Sequence, residues 1–600
     1  MSVQIVNNLN KATEDVIMEK YINRGVDIVW NDITYQVKYQ NTKRQVLKGV
    51  SGICKKGQVN VIMGSSGAGK TTLLNLLCCR ADNTAQVSIK GEIRANGNEY
   101  NSNNFPNFAA YVMQEDCLME TMTVREIIQF SAELKTSGSQ EEKKNLVDYI
   151  LKMMRLEKCQ NTLIGGYSIK GITKGERKRI SIAIELVSNP DVIFLDEPTS
   201  GLDSFTAYNV IDVLQKYSRE QNKNIICTIH QPSSEIFMKF DNLLLLVEGQ
   251  FIYQGPCSKV IEYFGQLGFQ CPHQSNPADY LMSIVHAQSQ KNRENYELYF
   301  EKYQQNLSPI IQTQIEMQKK QLNLLKNQKA SFFKQLSLLV SRQYKNLKRN
   351  PMLFQARIIQ SILLGLFVGI VYLALPSPYD HRDDQRLVND LNGAIFFLIQ
   401  NSHINSMLPV VLSIPLERNV FLKEQNQKLY QALPYFLSKL IVEIIMIILT
   451  PLIMGGISYY MIGLTPNFGN YCFFLFGNIL QSFAGNAQGM FIGSLFSSPQ
   501  TAIDVAPMVV IPFYLFGGLF KNVNDFADWI SWFQYITSYR YSFEALIHNN
   551  YENSPFNIDV AGQLNFTQGK WNSVLYLFCL GVGFQIFAYF ILKASIKKLQ

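Results

Sequence analysis

The sequence predicts a soluble α/β domain followed by an all-α membrane domain of six helices, and three observations carry that reading. A glycine-rich stretch joins an apolar strand to a helix-like run in "VNVIMGSSGAGKTTLLNLL", Val59 to Leu77. A second apolar strand ends in two carboxylates in "DVIFLDEPTSGLD", Asp191 to Asp203. From Ile358 onward, long uncharged runs replace the mixed composition found up to about Asn350. The 600 residues exceed one hydrophobic core, and 47% apolar against 17% charged leans away from an ordinary soluble enzyme.

The first element is a phosphate loop. Gly64, Ser65, Ser66, Gly67, Ala68 and Gly69 let backbone N–H groups curl around phosphates, and Lys70 would reach the β and γ oxygens. Thr71 would hold Mg²⁺, Thr72 follows it, and the next helix adds its positive end. A chance glycine-rich loop would lack the strand before it and the helix after it. Gln114 in "YVMQED" follows an apolar stretch and is suited to sense Mg²⁺ and the attacking water.

"GITKGERKR", Gly171 to Arg179, reads like the phosphate-facing start of a helix in which Lys174 stands where a small residue is expected. A side chain there either crowds an anion or turns aside, leaving the backbone N–H in place and adding a positive charge. Val192 to Leu195 is unbroken and apolar, as a strand buried on both faces should be, and ends in Asp196 and Glu197. Asp196 would coordinate magnesium through water, and Glu197 would position or deprotonate the attacking water. Carboxylates in surface turns are common, but these follow the phosphate loop by about 125 residues. His230 in "IICTIHQPSSE" ends a predicted strand, Ile225 to Ile229, and would donate to a γ-phosphate.

Six runs free of Asp, Glu, Lys and Arg follow: Ile358 to Leu375, Leu391 to Ile414, Ile444 to Leu464, Tyr471 to Phe496, Val505 to Phe520 and Val574 to Leu592. A helix needs about 20 apolar residues to cross a bilayer. Arg342, Lys345, Lys348 and Arg349 precede the first run and Lys593, Lys597 and Lys598 follow the last, so both ends read as cytosolic. The loop Ser377 to Asp390, with two arginines against four aspartates, reads as outside. The polar start of the chain has no apolar h-region, so no cleavable secretory signal is expected. Glu443 follows Lys439 by one helical turn, and an i, i+4 pair near the cytosolic interface is the expected arrangement.

Of ten cysteines, eight lie between Cys54 and Cys271 and two, Cys472 and Cys579, fall inside apolar runs. No disulfide framework and no cysteine metal site are expected. The net charge of +8 reads as positive-inside bias, and no nucleic-acid partner is expected, since no basic stripe interleaved with aromatics occurs. The domains are read as a polar tail over 1–25, a nucleotide-binding domain over 26–290, a linker with an amphipathic connecting helix over 291–350, and a transmembrane domain over 351–600 with a long outer segment about 521–573.

The order of phosphate loop, Gln114, Gly175-Glu176 stretch, Asp196-Glu197 and His230 resembles an ATP-binding cassette (ABC) transporter. More narrowly it resembles the G subfamily, the white, multidrug and sterol half transporters. "GERKRISIAIEL" (Gly175 to Leu186), "HQPSSEIF" (His230 to Phe237), "NPADY" (Asn276 to Tyr280), "RNP" (Arg349 to Pro351), "ERNVFLKE" (Glu417 to Glu424) and "RYSFEAL" (Arg540 to Leu546) carry it. The resemblance implies an α/β P-loop ABC domain ahead of a six-helix, type II exporter membrane domain. It implies ATP and Mg²⁺ as cofactors, a Q-loop role for Gln114, a D-loop role for Asp203 and a switch role for His230. Thr173, Lys174, Gly175 and Glu176 would form the signature that meets a partner's ATP, because such cassettes sandwich each nucleotide between two domains.

A second half transporter, as homodimer or heterodimer, is therefore an implied partner, with the lipid bilayer and a lipophilic or amphipathic substrate. Arg418, Lys423 and Glu424 would lie near the coupling surface. In the family the cavity lies between second and fifth spans, which places Phe397, Asn401, Ile404 and Phe513 along the substrate path and Leu519 with Phe520 as an apolar plug. The sequon Asn565-Phe566-Thr567 offers a glycosylation acceptor in a eukaryotic host. A soluble cassette ATPase of the DNA-repair or translation type shares the motifs of residues 59 to 230, and the six runs argue against it. An ATP-binding subunit that depends on its partner for turnover stays open as an alternative, with Lys174 as the discriminating residue.

Overall fold

The computed structural model describes residues 25–39, 42–81, 87–166, 169–272, 275–285, 290–317, 330–350, 354–373, 375, 384–552 and 558–597. The tail over 1–25 lies almost wholly outside them. The chain divides into two compact units, Met1–Ala330 and Ser331–Leu599.

The first unit is built on two sheets. Strands β1 (Ile28–Tyr39), β2 (Thr42–Cys54), β4 (Val87–Ala95) and β5 (Asn98–Glu99) form an antiparallel sheet in the order β2-β1-β4-β5. The second sheet runs β10-β9-β3-β8-β7-β6, from β3 (Val59–Gly64), β6 (Ala109–Val112), β7 (Val192–Asp196), β8 (Asn224–Thr228), β9 (Asn242–Val247) and β10 (Gln250–Pro256). Strands β9, β3, β8, β7 and β6 are parallel and the edge strand β10 is antiparallel. Every residue of β3, β7 and β8 is buried, which is why those segments read as continuous apolar runs. Asn60 and Asn224 join the sheets: Asn60 donates to Asn224 at 3.0 Å, and Asn224 donates to the carbonyls of Val26 and Cys54.

Helices flank this sheet, among them α1 (Lys70–Leu77), α2 (Val124–Lys135), α3 (Gln140–Met153), α4 (Lys174–Leu186) and α5 (Ser204–Glu220). Three open on reciprocal capping boxes, Thr123 with Glu126, Ser139 with Glu142 and Thr173 with Glu176, each supplying partners to free N–H groups of the first turn. The helices Gln290–Asn306 and Ser308–Glu316, expected as linker, belong to this unit: Tyr303, Ile311 and Ile315 are buried in its core. Tyr296, Tyr299, Tyr303, Leu307, Ile311 and Ile315 recur every three or four residues, the spacing of one helix face, within a stretch otherwise rich in Gln, Asn and Lys. The rest of the expected linker, 318–329, lies outside the described residues.

The second unit opens with α6 (Phe332–Arg349). Its buried face is mixed, with Leu339 and Leu347 beside Gln335, Arg342, Gln343 and Asn346, while Phe333 is exposed. Helices α7 (Gln355–Tyr372), α8 (Gln385–Asn426), α9 (Ala432–Ile462), α10 (Phe468–Leu495), α11 (Pro499–Leu515) and α13 (Lys570–Lys597) occupy the six apolar runs. A buried helix, α12 (Ser538–Tyr551), lies in the segment between the last two.

By length and composition, α7, α8, α9 and α13 suffice to cross a membrane. Helix α11 has 17 residues, and α10 carries buried Asn478, Gln481, Asn486 and Gln488 that lower its hydropathy. Those polar groups are spent inside the bundle: Gln481 and Gln488 bracket the two ring nitrogens of buried His403 at 3.1 and 3.0 Å, and Asn486 accepts from Gln585. Glycines let α10 close on α8. A Cβ at Gly485 would meet the His403 carbonyl at 2.4 Å, and one at Gly489 the Met407 carbonyl at 2.6 Å.

The expected Lys439–Glu443 pair does not form. Lys439 binds Glu417 of α8 at 2.6 Å, and Glu443 binds Arg357 of α7 at 2.9 Å. Glu417 also accepts from Gln343, Asn346 and Tyr435. Spacing along one helix brought Lys439 and Glu443 near, but both are buried, and a buried charge binds the partner whose helix covers it.

Candidate nucleotide-hydrolysis site

Strand β3 delivers the phosphate loop to the carboxyl end of the parallel sheet, between β8 and β9. Gly64 sits at φ +153° with the Leu246 carbonyl 2.1 Å from where a Cβ would stand, so only glycine lets the chain turn there. Helix α1 then starts at Lys70, after Gly69 in a left-handed conformation. The Lys70 ammonium is folded back on the loop, donating to the carbonyls of Gly64 at 2.8 Å and Ser65 at 3.0 Å. Burial lowers its pKa, opposed by the nearby charges of Glu197 and Asp196.

Next to it, β7 ends in Asp196, whose carboxylate is held, among the described residues, by three hydroxyls. Thr228 of β8 donates to Oδ1 at 2.6 Å, Thr71 to the same oxygen at 3.3 Å, and Tyr111 of β6 to Oδ2 at 3.4 Å. Burial, then the Asp196 charge, raises the Tyr111 hydroxyl pKa, so that phenol stays a donor. The Arg80 guanidinium lies over the Tyr111 ring at 4.3 Å. Glu197 has φ +46°, a left-handed backbone that is uncommon outside glycine and a marker of functional strain. Its N–H donates to Thr228 at 3.0 Å and its Oε2 accepts from Gln114 at 2.9 Å.

These contacts gather Lys70, Thr71, Gln114, Asp196 and Glu197 at one end of the sheet. Thr71 Oγ1 and the Asp196 carboxylate are adjacent hard oxygen donors, the chemistry a small divalent cation requires, and neither carboxylate is spent in an ion pair among the described residues. His230 is exposed just past β8 and makes no hydrogen bond to this group among the described residues.

The signature stretch is separate. Thr173 caps α4 and exchanges bonds with Glu176, and Asp203 caps α5 through the Thr206 N–H at 3.0 Å; hydrogen bonds from the Thr206 hydroxyl and then its N–H lower the Asp203 pKa. Gly175 is buried, and a Cβ there would meet the Thr206 methyl at 2.1 Å. Lys174 is exposed, with no hydrogen bond or ion pair among the described residues, and opens the first turn of α4. Four residues on, buried Lys178 clamps the Gln114 loop, donating to the Gln114 carbonyl at 2.8 Å and pairing with Asp116 at 3.0 Å.

Three family models match, two in the first unit and one in the second. The ABC transporter model covers residues 47–200, and ABC-2 type transporter models cover 334–551 and 230–300. Among curated relatives, Protein white of Drosophila melanogaster is 34% identical over 528 residues, 85% of this chain and 75% of that protein. The Broad substrate specificity ATP-binding cassette transporter ABCG2 of Mus musculus is 32% identical over 595 residues, 93% of this chain and 88% of that one. ABC transporter G family member 22 of Dictyostelium discoideum is 32% identical over 567 residues, 92% and 89%. The chain belongs to the ABC transporter G subfamily. It is a half transporter with one ATPase domain ahead of one helical membrane domain, and that ATPase drives transport.

For this G-subfamily chain, Thr228, Tyr111 and Lys178 are residues that sequence reading passed over. Thr228 looked like one more β-branched strand residue, and Tyr111 like part of an apolar run. Of the expected substrate-path residues, Phe397, Asn401 and Ile404 lie on the more exposed side of α8, with Asn401 donating to the Phe397 carbonyl. Phe513 does not join them. It is buried against Phe533 and Phe584, because the exposed face of α11 is the one with Met508, Ile511 and Leu515. Leu519 packs on the core and Phe520 is exposed beside Phe396 and Tyr514.

Proposed function

We propose that the chain exports a lipophilic or amphipathic molecule, working as a dimer whose two ATP sites are each shared between partners, with its nucleotide domain in the cytosol. The observation that carries the shared site is the separation described above. Thr71 with Asp196 and Gln114 with Glu197 are hydrogen-bonded beside Lys70, while among the described residues Thr173, Lys174 and Asp203 are exposed and bonded only to their own helix starts or to nothing. A helix start with free N–H groups is an anion site that this chain's own phosphate loop does not use. A basic-flanked bundle supports the cytosolic placement.

In this reading the loop backbone and Lys70 bind the triphosphate, and Thr71, Asp196 and Gln114 hold Mg²⁺, which offsets phosphate charge. Glu197 takes the proton of the attacking water, with Gln114 fixing its carboxylate, and His230 donates to the γ-phosphate. The uncharged exposed side of α8, with Phe397, Asn401 and Ile404, supports an apolar or amphipathic cargo.

Lys174 favours a heterodimer. Its ammonium adds charge at the partner's nucleotide, so one shared site carries it and the other takes an ordinary signature from the partner. The test is purification of the tagged chain expressed alone, with phosphate release measured for wild type and Glu197→Gln. A lone chain that dimerises and turns over ATP in a Glu197-dependent way sinks the heterodimer; a monomeric, silent chain that recovers turnover on co-expression with a second half transporter supports it.

A further inference from the structure

Three consecutive basic residues follow the first turn of α4, and each donates to the backbone of a different segment. Arg177 donates to the Gly165 carbonyl at 2.8 Å, Arg179 to the Met154 and Arg155 carbonyls at 3.0 and 2.9 Å, and Lys178 to the Gln114 carbonyl at 2.8 Å. Of these, Lys178 alone bonds a loop that carries a residue of the hydrolysis site. It is also the most buried, at 2% exposed. A lysine stripped of water is stable only where its ammonium finds full replacement. Here the Gln114 carbonyl, the Met113 carbonyl at 3.4 Å and the Asp116 carboxylate at 3.0 Å supply it, all from one loop.

That loop has little else to hold it. Strand β6 stops at Val112, and its ladder with β7 stops there too. Gln114 and Glu115 are exposed, and among the described residues no other side chain donates to the backbone of residues 113–116. Yet the Gln114 amide stands 2.9 Å from Glu197 Oε2, a contact that a small shift of the backbone would break. Each peptide unit is planar, so fixing two successive carbonyls fixes the planes on either side of Gln114 and the direction in which its side chain leaves the chain.

On these grounds, and resting on the hydrolytic roles proposed for Gln114 and Glu197, we propose that Lys178 is the positioning residue for Gln114. Through the loop backbone it sets where the Gln114 amide stands against Glu197, so the order of the general base depends on a side chain of α4 and not on β6 alone.

Lys178→Met, Gln114→Ala and the double variant are compared in the full-length transporter, purified with whatever second half transporter its turnover requires. A misplaced group near the chemistry costs up to about 100-fold, so Lys178→Met is expected to lower kcat roughly 10- to 100-fold. The KM for ATP should stay within about twofold, since the phosphate loop is untouched. The double variant should be no slower than Gln114→Ala, because a residue acting through Gln114 has nothing left to act on. In nucleotide-free protein, amide hydrogen exchange should quicken at residues 113–117 in Lys178→Met. An unchanged kcat would overturn the proposal, as would a Lys178→Met loss that adds in full to that of Gln114→Ala. Lys178→Arg keeps the charge and the donors, and loss of binding of a fluorescent ATP analogue in both Lys178 variants would make Lys178 a folding residue and overturn the proposal as well. Full turnover in Gln114→Ala would strike the role of Gln114 itself, whereas a strong loss there with none in Lys178→Met would strike the positioning alone.

Discussion

Asp196 in the nucleotide unit and Glu443 in the membrane unit are both buried carboxylates, kept in place by different means. Three hydroxyls, from Thr228, Thr71 and Tyr111, hold Asp196, and the Lys70 ammonium acts on it without forming a direct ion pair among the described residues. Glu443 faces the Arg357 guanidinium, and Glu417 faces the Lys439 ammonium. Hydroxyls orient a carboxylate without cancelling it, so the charge stays available to a cation. A full counter-charge cancels it, so the pair serves to join helices. The first arrangement makes a site and the second makes a bundle.

The largest effect that would test this contrast is at Glu197. Glu197→Gln should lower phosphate release by roughly 10² to 10⁴ while nucleotide binding persists, because a general base is lost and the Gln114 contact is kept. Loss of nucleotide binding in that variant would place Glu197 in structure rather than chemistry.

The ion pair gives the matching test on the other side. Arg357→Met should destabilise the membrane unit by about 3–5 kcal/mol by stranding Glu443, whereas Arg357→Met with Glu443→Leu should recover most of it. Thermal melting of the detergent-solubilised chain reads this, and equal losses in both variants would show that the pair is not what joins α7 to α9.

Thr228→Val should be milder and selective. It removes a charge-assisted hydrogen bond worth about 1.5–3 kcal/mol, so the Mg²⁺ concentration for half-maximal turnover should rise more than tenfold with little change in melting temperature. A loss of melting temperature with unchanged Mg²⁺ dependence would make Thr228 a packing residue.

Gly485→Ala should cost about 1–3 kcal/mol, since its methyl would press on the His403 carbonyl. Gly583→Ala on α13, where a Cβ meets open space, should be neutral in the same melting assay. Similar shifts in both would mean that α10 does not depend on close approach to α8.

What could be read without the fold follows a physical pattern. Residues 64–72 were legible because one loop and one helix start hold a phosphate, so the chemistry is written in consecutive letters. Asp196 and Glu197 were legible because a strand buried on both faces must be apolar until it ends. Thr228, Tyr111 and Lys178 were not, since each acts from a different strand or helix, and alone each is an ordinary residue. Three polar residues of α6 were illegible for a related reason: Arg342, Gln343 and Asn346 show their partners only when Glu417 and Glu424 are brought against them.

The sequence by itself determined the order of the two domains, the apolar runs, the phosphate loop and the departure at Lys174, because each is a property of neighbouring residues. Only the tertiary structure decided which charge neutralises which. Lys439 and Glu443 lie one turn apart and bind different helices, for in a buried setting the covering partner outweighs the neighbour in sequence. It also decided that Lys174 is exposed while Gly175 beside it is closed in by Thr206, since space at a backbone position depends on what packs there.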